Sequence, residues 1–300
     1  MALSSEQWAG WHAEIDRTVA DFGQCLILTD GNFEPICQLP PVIEGTGGDL
    51  RFDTAELSVT VPALTTAGLP HAAVDALVDE GFGRQDETSR LVPVADASRF
   101  VVVQRTGGEA ARLAYKIVFP RLLIEQGETS QLRIEGVSLV DMLRQWPCPS
   151  VPILWGHEPI RDWREDAGGK YDQIYRYGPI EMATVARGYT AHGPAVDTIR
   201  AVIQESLDAG NRAQGWMRPH MVVDFTPETV ASPTVAIRRQ DASVWDTISG
   251  PARLAGVHIR VDMWWPGDTP FPAKYETGGR VFSGMWAGEP VLVCRVAAKQ

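Results

Sequence analysis

The feature that most restricts this fold is strict alternation. In "FDTAELSVTVPA", Leu57, Val59 and Val61 take one side and Glu56, Ser58 and Thr60 the other, the period-two pattern of a half-buried strand. Leu113, Tyr115, Ile117 and Phe119 repeat it, as do Val257, Ile259 and Val261 against His258, Arg260 and Asp262. A stretch written this way cannot lay its apolar side chains along one face of a helix, whose period is 3.6. The runs are short and end at glycine or proline. Pro62 closes the first, and turns around Gly107 and Gly127 separate three strands read between Arg99 and Gly136. The 28 glycines and 21 prolines, somewhat above ordinary usage, fall mostly between apolar runs. Strands joined by such short turns pair antiparallel, because parallel neighbours need long crossovers.

A few helices punctuate the strands. Ser4 and Ser5 precede Trp8, Trp11, Ile15 and Val19, which share one helical face, and Gly23 supplies the stop. Such a helix either folds back on its own domain or docks on a neighbouring subunit. "CLILTDGNFEPICQLP" reads as a hairpin turning at Asp30, Gly31 and Asn32. Pro70 opens a short helix with Val74, Leu77 and Val78 inward and Gly81 as its stop. In "LRIEGVSLVDMLRQWPCP", Leu132 and Ile134 finish a strand, Gly136 lets the chain turn, and Ser138 caps a short helix carrying Leu139, Met142 and Leu143 inward. Pro147 and Pro149 stop that helix, leaving Asp141 and Arg144 on its surface and Cys148 as a buried thiol.

Residues 151–193 have weak periodicity and many Trp, Tyr and Gly residues, and are read as a long ordered excursion. Pro194 then opens a helix with Val196, Ile199, Val202, Ile203 and Leu207 inward and Gly210 as the stop. "DASVWDTISGPARLAG" is a helix capped by Asp241 or Ser243 and disturbed by Pro251, and "RVFSGMWAGEPVLVCRV" gives two short strands around a Gly-Glu-Pro turn. The expected fold is α+β, with two β-rich, barrel-like antiparallel modules and short packing helices. Its parts are an amphipathic helix at 1–24, a first module at 25–150, the excursion at 151–193 and a second module at 194–300.

Several functions are disfavoured. A formal charge of -11 offers no concentrated basic surface for nucleic acid. The amino terminus lacks a signal-peptide pattern and no run of eighteen apolar residues follows, so the chain reads as soluble where it is made. Cys25, Cys37, Cys148 and Cys294 are scattered without metal-ligand spacing, and the six histidines are isolated; "HEP" at His157 lacks a second histidine one turn on. No metal or other cofactor is expected. "GTGGD" and "RTGGEAAR" do not continue into phosphate-loop motifs, and there is no G-x-S-x-G elbow. The densest acidic cluster, Asp162, Glu165 and Asp166 in "RDWREDAGG", is the best place for a glycan hydrolase to keep two carboxylates, although a self-neutralising loop is the commoner use of such a cluster. Ten tryptophans also suggest a carbohydrate-binding module. The expectation is a non-enzymatic protein.

The order "LILTDGNFEPICQLP", "LRFDTAELSVTVPA", "RFVVVQRTGG", a long hairpin and "LRIEGVSLVDMLRQWPCP" resembles the amino-terminal part of the tail-hub, or minor tail, proteins of long-tailed phages infecting actinobacteria. The resemblance is clearest over residues 25–149 and weaker over 194–265. It implies a structural virion protein at the tail tip, made in the host bacterial cytoplasm. It also implies a ring, expected as a homotrimer, at the distal end of the tail tube, contacting the distal tail ring, other tail-tip proteins and the tape-measure protein. Such a protein works through interfaces anchored by aromatic residues. The candidates are Trp8 and Trp11 of the first helix, Trp155, Trp163, Tyr171, Tyr175 and Tyr177 of the excursion, and Trp264 with Trp265.

Overall fold

A computed structural model describes residues 3–50, 53–78, 98–125, 128–150, 156–185 and 190–298. The chain is α+β. Helix α1 (Ser5–Phe22) begins with a complete capping box, in which the Ser4 hydroxyl accepts from Gln7 N and the Gln7 side chain accepts from Ser4 N, and it ends on left-handed Gly23. β1 (Gln24–Thr29), β2 (Pro35–Gln38), β3 (Glu44–Gly47), β4 (Glu56–Pro62), β5 (Phe100–Arg105), β6 (Leu113–Glu125) and β7 (Glu128–Ser138) form one sheet. Its order is β2-β1-β5-β6-β7-β4-β3 and every neighbouring pair is antiparallel. The sheet curls into a half-barrel.

Period two explains how this sheet is buried on both faces. Leu26, Leu28, Val101 and Val103 join Leu57, Val59, Val61, Leu132 and Ile134 in one core, against which α2 (Ala72–Leu77) places Ala73 and Leu77. Their strand neighbours Cys25, Ile27, Phe100 and Val102 point the other way, into a larger core that the first sheet shares with the rest of the chain. Pro70 lies just outside α2, and Gly81 falls outside the described residues.

The second half is built on a three-stranded mixed sheet rather than a second barrel-like one. β16 (Val291–Ala298) lies at its centre, parallel to β11 (Met221–Val223) and antiparallel to β13 (Val257–Trp264). Helices α4 (Ala195–Gln214) and α5 (Val244–Ala255) cover the face carrying Val223, Ile259, Val261 and Cys294. Its opposite face, with Val222, Trp264, Val291 and Val293, meets Phe271 and Ala273 of β14 (Phe271–Thr277). Ser243 rather than Asp241 caps α5, accepting from Asp246 N at 3.0 Å, and the helix runs through Pro251. The two final strands do not pair with each other: β15 (Arg280–Trp286) pairs with β14 across Gly278 and Gly279, whose φ values of 55° and 71° suit a tight hairpin turn.

Three small residues have roles different from those expected. Gly136 is not a turn but lies inside β7, where a Cβ would stand 2.8 Å from the Lys116 carbonyl oxygen beside a register shift in β6. Ser138 does not cap a helix; its hydroxyl accepts from Ala55 N at 2.9 Å and ties β7 to the entry of β4. Gly210 does not stop α4, which continues to left-handed Gly215; a Cβ at Gly210 would fall inside the ring of Trp146. The helix needs a residue without a side chain there so that the ring of Trp146, which follows α3 (Met142–Gln145), can lie against it.

Candidate interaction surfaces

Aromatic residues expected to contact a partner divide by burial. Trp8 of α1 sits 5.9 Å from Trp265 by ring centroids, and His12 Nε2 bonds the Pro266 carbonyl at 2.9 Å, so α1 folds back onto its own chain. Trp265 is fully buried and donates from Nε1 to Phe33 O at 2.9 Å. Trp264 is equally enclosed and donates to Thr269 O at 3.0 Å. Trp8, Trp264 and Trp265 therefore serve the core and offer no outer surface, because each indole gains more from burial within the chain than from waiting for a partner. Trp11 is half-buried against the same core.

This packing is locked by a buried ion pair. Arg112, between β5 and β6, places its guanidinium 4.3 Å from the Trp265 ring centroid. Its Nη2 donates to Asp268 Oδ1 at 3.0 Å, its second terminal nitrogen contacts both Asp268 and Met263 O, and its Nε donates to Gln104. Asp268 in turn accepts from Trp265 N at 2.7 Å. Beside it Glu109 accepts from Arg295 at 2.7 Å and from Thr269 N at 3.1 Å. Burial alone would raise the Glu109 carboxyl, but the Arg295 and Thr269 bonds and the Arg112 charge hold it below its ordinary range. Charges from the two halves of the chain thus neutralise each other across the seam, Arg112 with Asp268 and Arg295 with Glu109.

The excursion is a long β-hairpin, not a loop: β8 (Gly156–Asp166) pairs antiparallel with β9 (Gly169–Val185). Trp163 stands opposite Tyr175, and Glu165 opposite Lys170. Asp162, Glu165 and Asp166 all lie on β8, facing Arg176, Lys170 and Gly169 in register, and Glu165 is exposed. Tyr171 is half-buried and Tyr177 is also on β9, while Trp155 lies outside the described residues. The turn signal was present in "EDAGGK", but three register shifts blur the alternation that would have revealed the strands.

A second hairpin exposes apolar side chains that sequence reasoning missed. On β15 Val281 is 65% and Met285 62% exposed, on one face; Phe282, 43% exposed, stacks on Tyr275 at 5.1 Å on the other, where Trp286 also meets that ring. β15 is the edge of a two-stranded sheet, and among the described residues its outer backbone edge has no strand neighbour. It carries no proline, lysine or bulge, the usual protections of an exposed edge. Among the described residues there is no group of three His, Cys, Asp or Glu residues placed to hold a metal, and no helix long and apolar enough to cross a membrane. All four cysteines are free thiols; burial pushes Cys25 and Cys37 up to about 11, Cys25 helped by the Glu14 charge.

No protein-family model and no curated protein matches this chain. Among solved structures, it is similar to an E. coli component of the type VI secretion system, itself described as structurally similar to T4 bacteriophage tail proteins, at 9% identity and a TM-score of 0.35, over 91% of this chain and 49% of the other. It is similar to the tail protein from Neisseria meningitidis at 12% identity and a TM-score of 0.35, over 88% and 51%. The chain spans about half the length of these structures.

Proposed function

We propose that this protein is a structural component of a phage tail tip, a hub or minor tail protein that joins a ring at the end of the tail tube and supports tail assembly and genome delivery. One observation carries the reading. The motifs whose order resembles the tail-hub family, around Leu26, Leu57, Val101 and Ile134, are not scattered through the fold but become β1, β4, β5 and β7 of a single sheet. Subunits of such a ring, taken as a homotrimer, meet through exposed strands. Val281 and Met285 of β15 and the backbone edges of the β8–β9 hairpin, on which Tyr171 is half-buried, are the surfaces offered to neighbouring subunits, the distal tail ring and the tape-measure protein.

Electron microscopy of particles labelled with an antibody against this chain tests the placement, with label expected at the tail tip; label elsewhere, or unlabelled tails, overturns it. A second measurement tests the surface. Val281→Asp with Met285→Asp alters exposed side chains and is expected to change stability by no more than about 0.5 kcal/mol, because neither supports the core. The same double variant is expected to abolish incorporation into tails. Normal incorporation would remove β15 from the interface.

A further inference from the structure

Where the two halves of the chain meet beside α3, the seam opens into a cavity of about 700 Å³, within the range of small-ligand sites. Its walls are aromatic. Trp216, just beyond α4, stands 5.9 Å from Trp146 and 4.4 Å from His220, both edge-on, so the rings form a corner instead of a stack that would close the space. Phe33 completes the wall, edge-on to Phe100 and His220, and holds an unusual backbone with φ 67°. A bulky residue in the left-handed region is strained and persists only where its surroundings fix it. Here Asp30 accepts from Asn32 N and Glu34 N, each at 2.9 Å, and Trp265 holds the Phe33 carbonyl.

The polar lining is mixed and rich in amides. Asn32, Gln145 and Gln214 contribute amides, each with both donor and acceptor capacity. Asp30 opposes Arg99 and Lys116, and Lys116 is already engaged with Gln145 Oε1 at 3.1 Å. A purely apolar ligand would leave the amides unpaired, at the cost of burying polar groups without partners. His220 adds an independent indication, since its Nδ1 is buried on the cavity wall with no hydrogen-bond partner in the chain. Burial, then the Arg218 charge, lower the His220 pKa, so the neutral ring keeps one nitrogen as an acceptor for a hydroxyl.

We infer that this cavity binds a short neutral saccharide, stacked on the Trp216 and Trp146 corner and hydrogen-bonded by Gln214, Asn32 and His220. Aromatic faces match the C–H faces of a sugar ring, and paired donors and acceptors match its hydroxyls. The inference does not depend on the tail reading, because a free enzyme-independent binding module would present the same cavity.

Titration of the intact chain with maltotriose, chitotriose and the corresponding soluble polysaccharides, followed by tryptophan fluorescence and calorimetry, tests it. One sugar is expected to give a saturable response; response to the trisaccharide identifies a free short ligand, and response to the polymer alone identifies a longer glycan as its source. Trp216→Ala is expected to weaken binding at least about tenfold, equivalent to about 1.4 kcal/mol. Gln214→Ala, at an exposed helix end, is expected to weaken it without lowering the melting temperature, and Trp286→Ala, outside the cavity, to leave it unchanged. No saturable response to any probe, or binding by Trp216→Ala and Gln214→Ala as tight as by wild type, overturns the proposal.

Discussion

The seam between the two halves has a closed stretch and an open one, and they differ in how their charges and rings are satisfied. In the closed stretch Arg112, Asp268 and Trp265 saturate one another and Trp8 seals them from above. In the open stretch, Trp146, Trp216 and His220 meet edge-on around a cavity and a buried ring nitrogen has no partner. Phe33 belongs to both, giving its carbonyl to Trp265 and its ring to the cavity wall. The comparison teaches that one boundary can hold a fold together at one place and leave recognition chemistry unspent at another, provided a rigid residue connects them.

The closed stretch should therefore be the more costly to damage. Asp268→Ala removes the acceptor for Arg112 and for Trp265 N and leaves a buried guanidinium without its counterion. Breaking one side of such a pair costs about 3–5 kcal/mol. Chemical denaturation should show that loss in a single transition, because the core on either side of the seam is continuous. If Asp268→Ala loses less than about 1 kcal/mol, the distinction between closed and open stretches fails.

Damage at the margin of the open stretch should cost less. Gly210→Ala puts a methyl group where the Trp146 ring lies, so the ring must move toward the cavity. Overpacking of this kind costs about 1–3 kcal/mol, and the lower part of that range is expected because open space is available on one side. Thermal unfolding would give the stability change, and a shifted tryptophan emission would report the moved ring. An unchanged emission together with a loss above about 3 kcal/mol would show that Trp146 has nowhere to go and that this stretch is as rigid as the other.

What was legible in the sequence follows the same division. Alternation at Leu57, Val59 and Val61 announces a strand because burial on a sheet is a local property of every second residue. The cap at Ser4, the stop at Gly23 and the inward face of α4 are equally local. Which surface a buried face meets is not local. The helix with Trp8 and Trp11 could fold back on the chain itself or dock on a partner, and only the position of Trp265 decides for Trp8. Gly210 looked like a helix stop because glycine usually is one; the requirement came from Trp146, far away in sequence. β14 was overlooked because Pro266, Gly267, Pro270 and Pro272 make its start read as a loop although Phe271, Ala273 and Tyr275 alternate, and with it went the exposed β15 edge. The aromatic corner joins Trp146, just after α3, to Trp216 and His220 in the connection between α4 and β11, so no spacing in the sequence could express it.

The smallest effect expected is also the one that separates charge from packing. Glu109 lies at the margin of the closed stretch, partly reached by solvent, and its carboxyl is held below the ordinary range by Arg295, Thr269 N and Arg112. A carboxyl with a lowered folded pKa contributes stability that is present above its unfolded value and lost as pH falls through the folded one. Glu109→Gln keeps the size of the side chain and removes the charge, so wild type and variant should differ by about 1 kcal/mol at neutral pH, after allowing for solvent screening. The two should converge as acid protonates Glu109, first below the ordinary carboxylate range and fully below its lowered pKa. Denaturation curves at a series of pH values would follow that convergence. A difference that stayed constant into acid would mean that Glu109 holds the seam by shape, and that the saturation of charge distinguishing the closed stretch from the open one ends at Arg112 and Asp268.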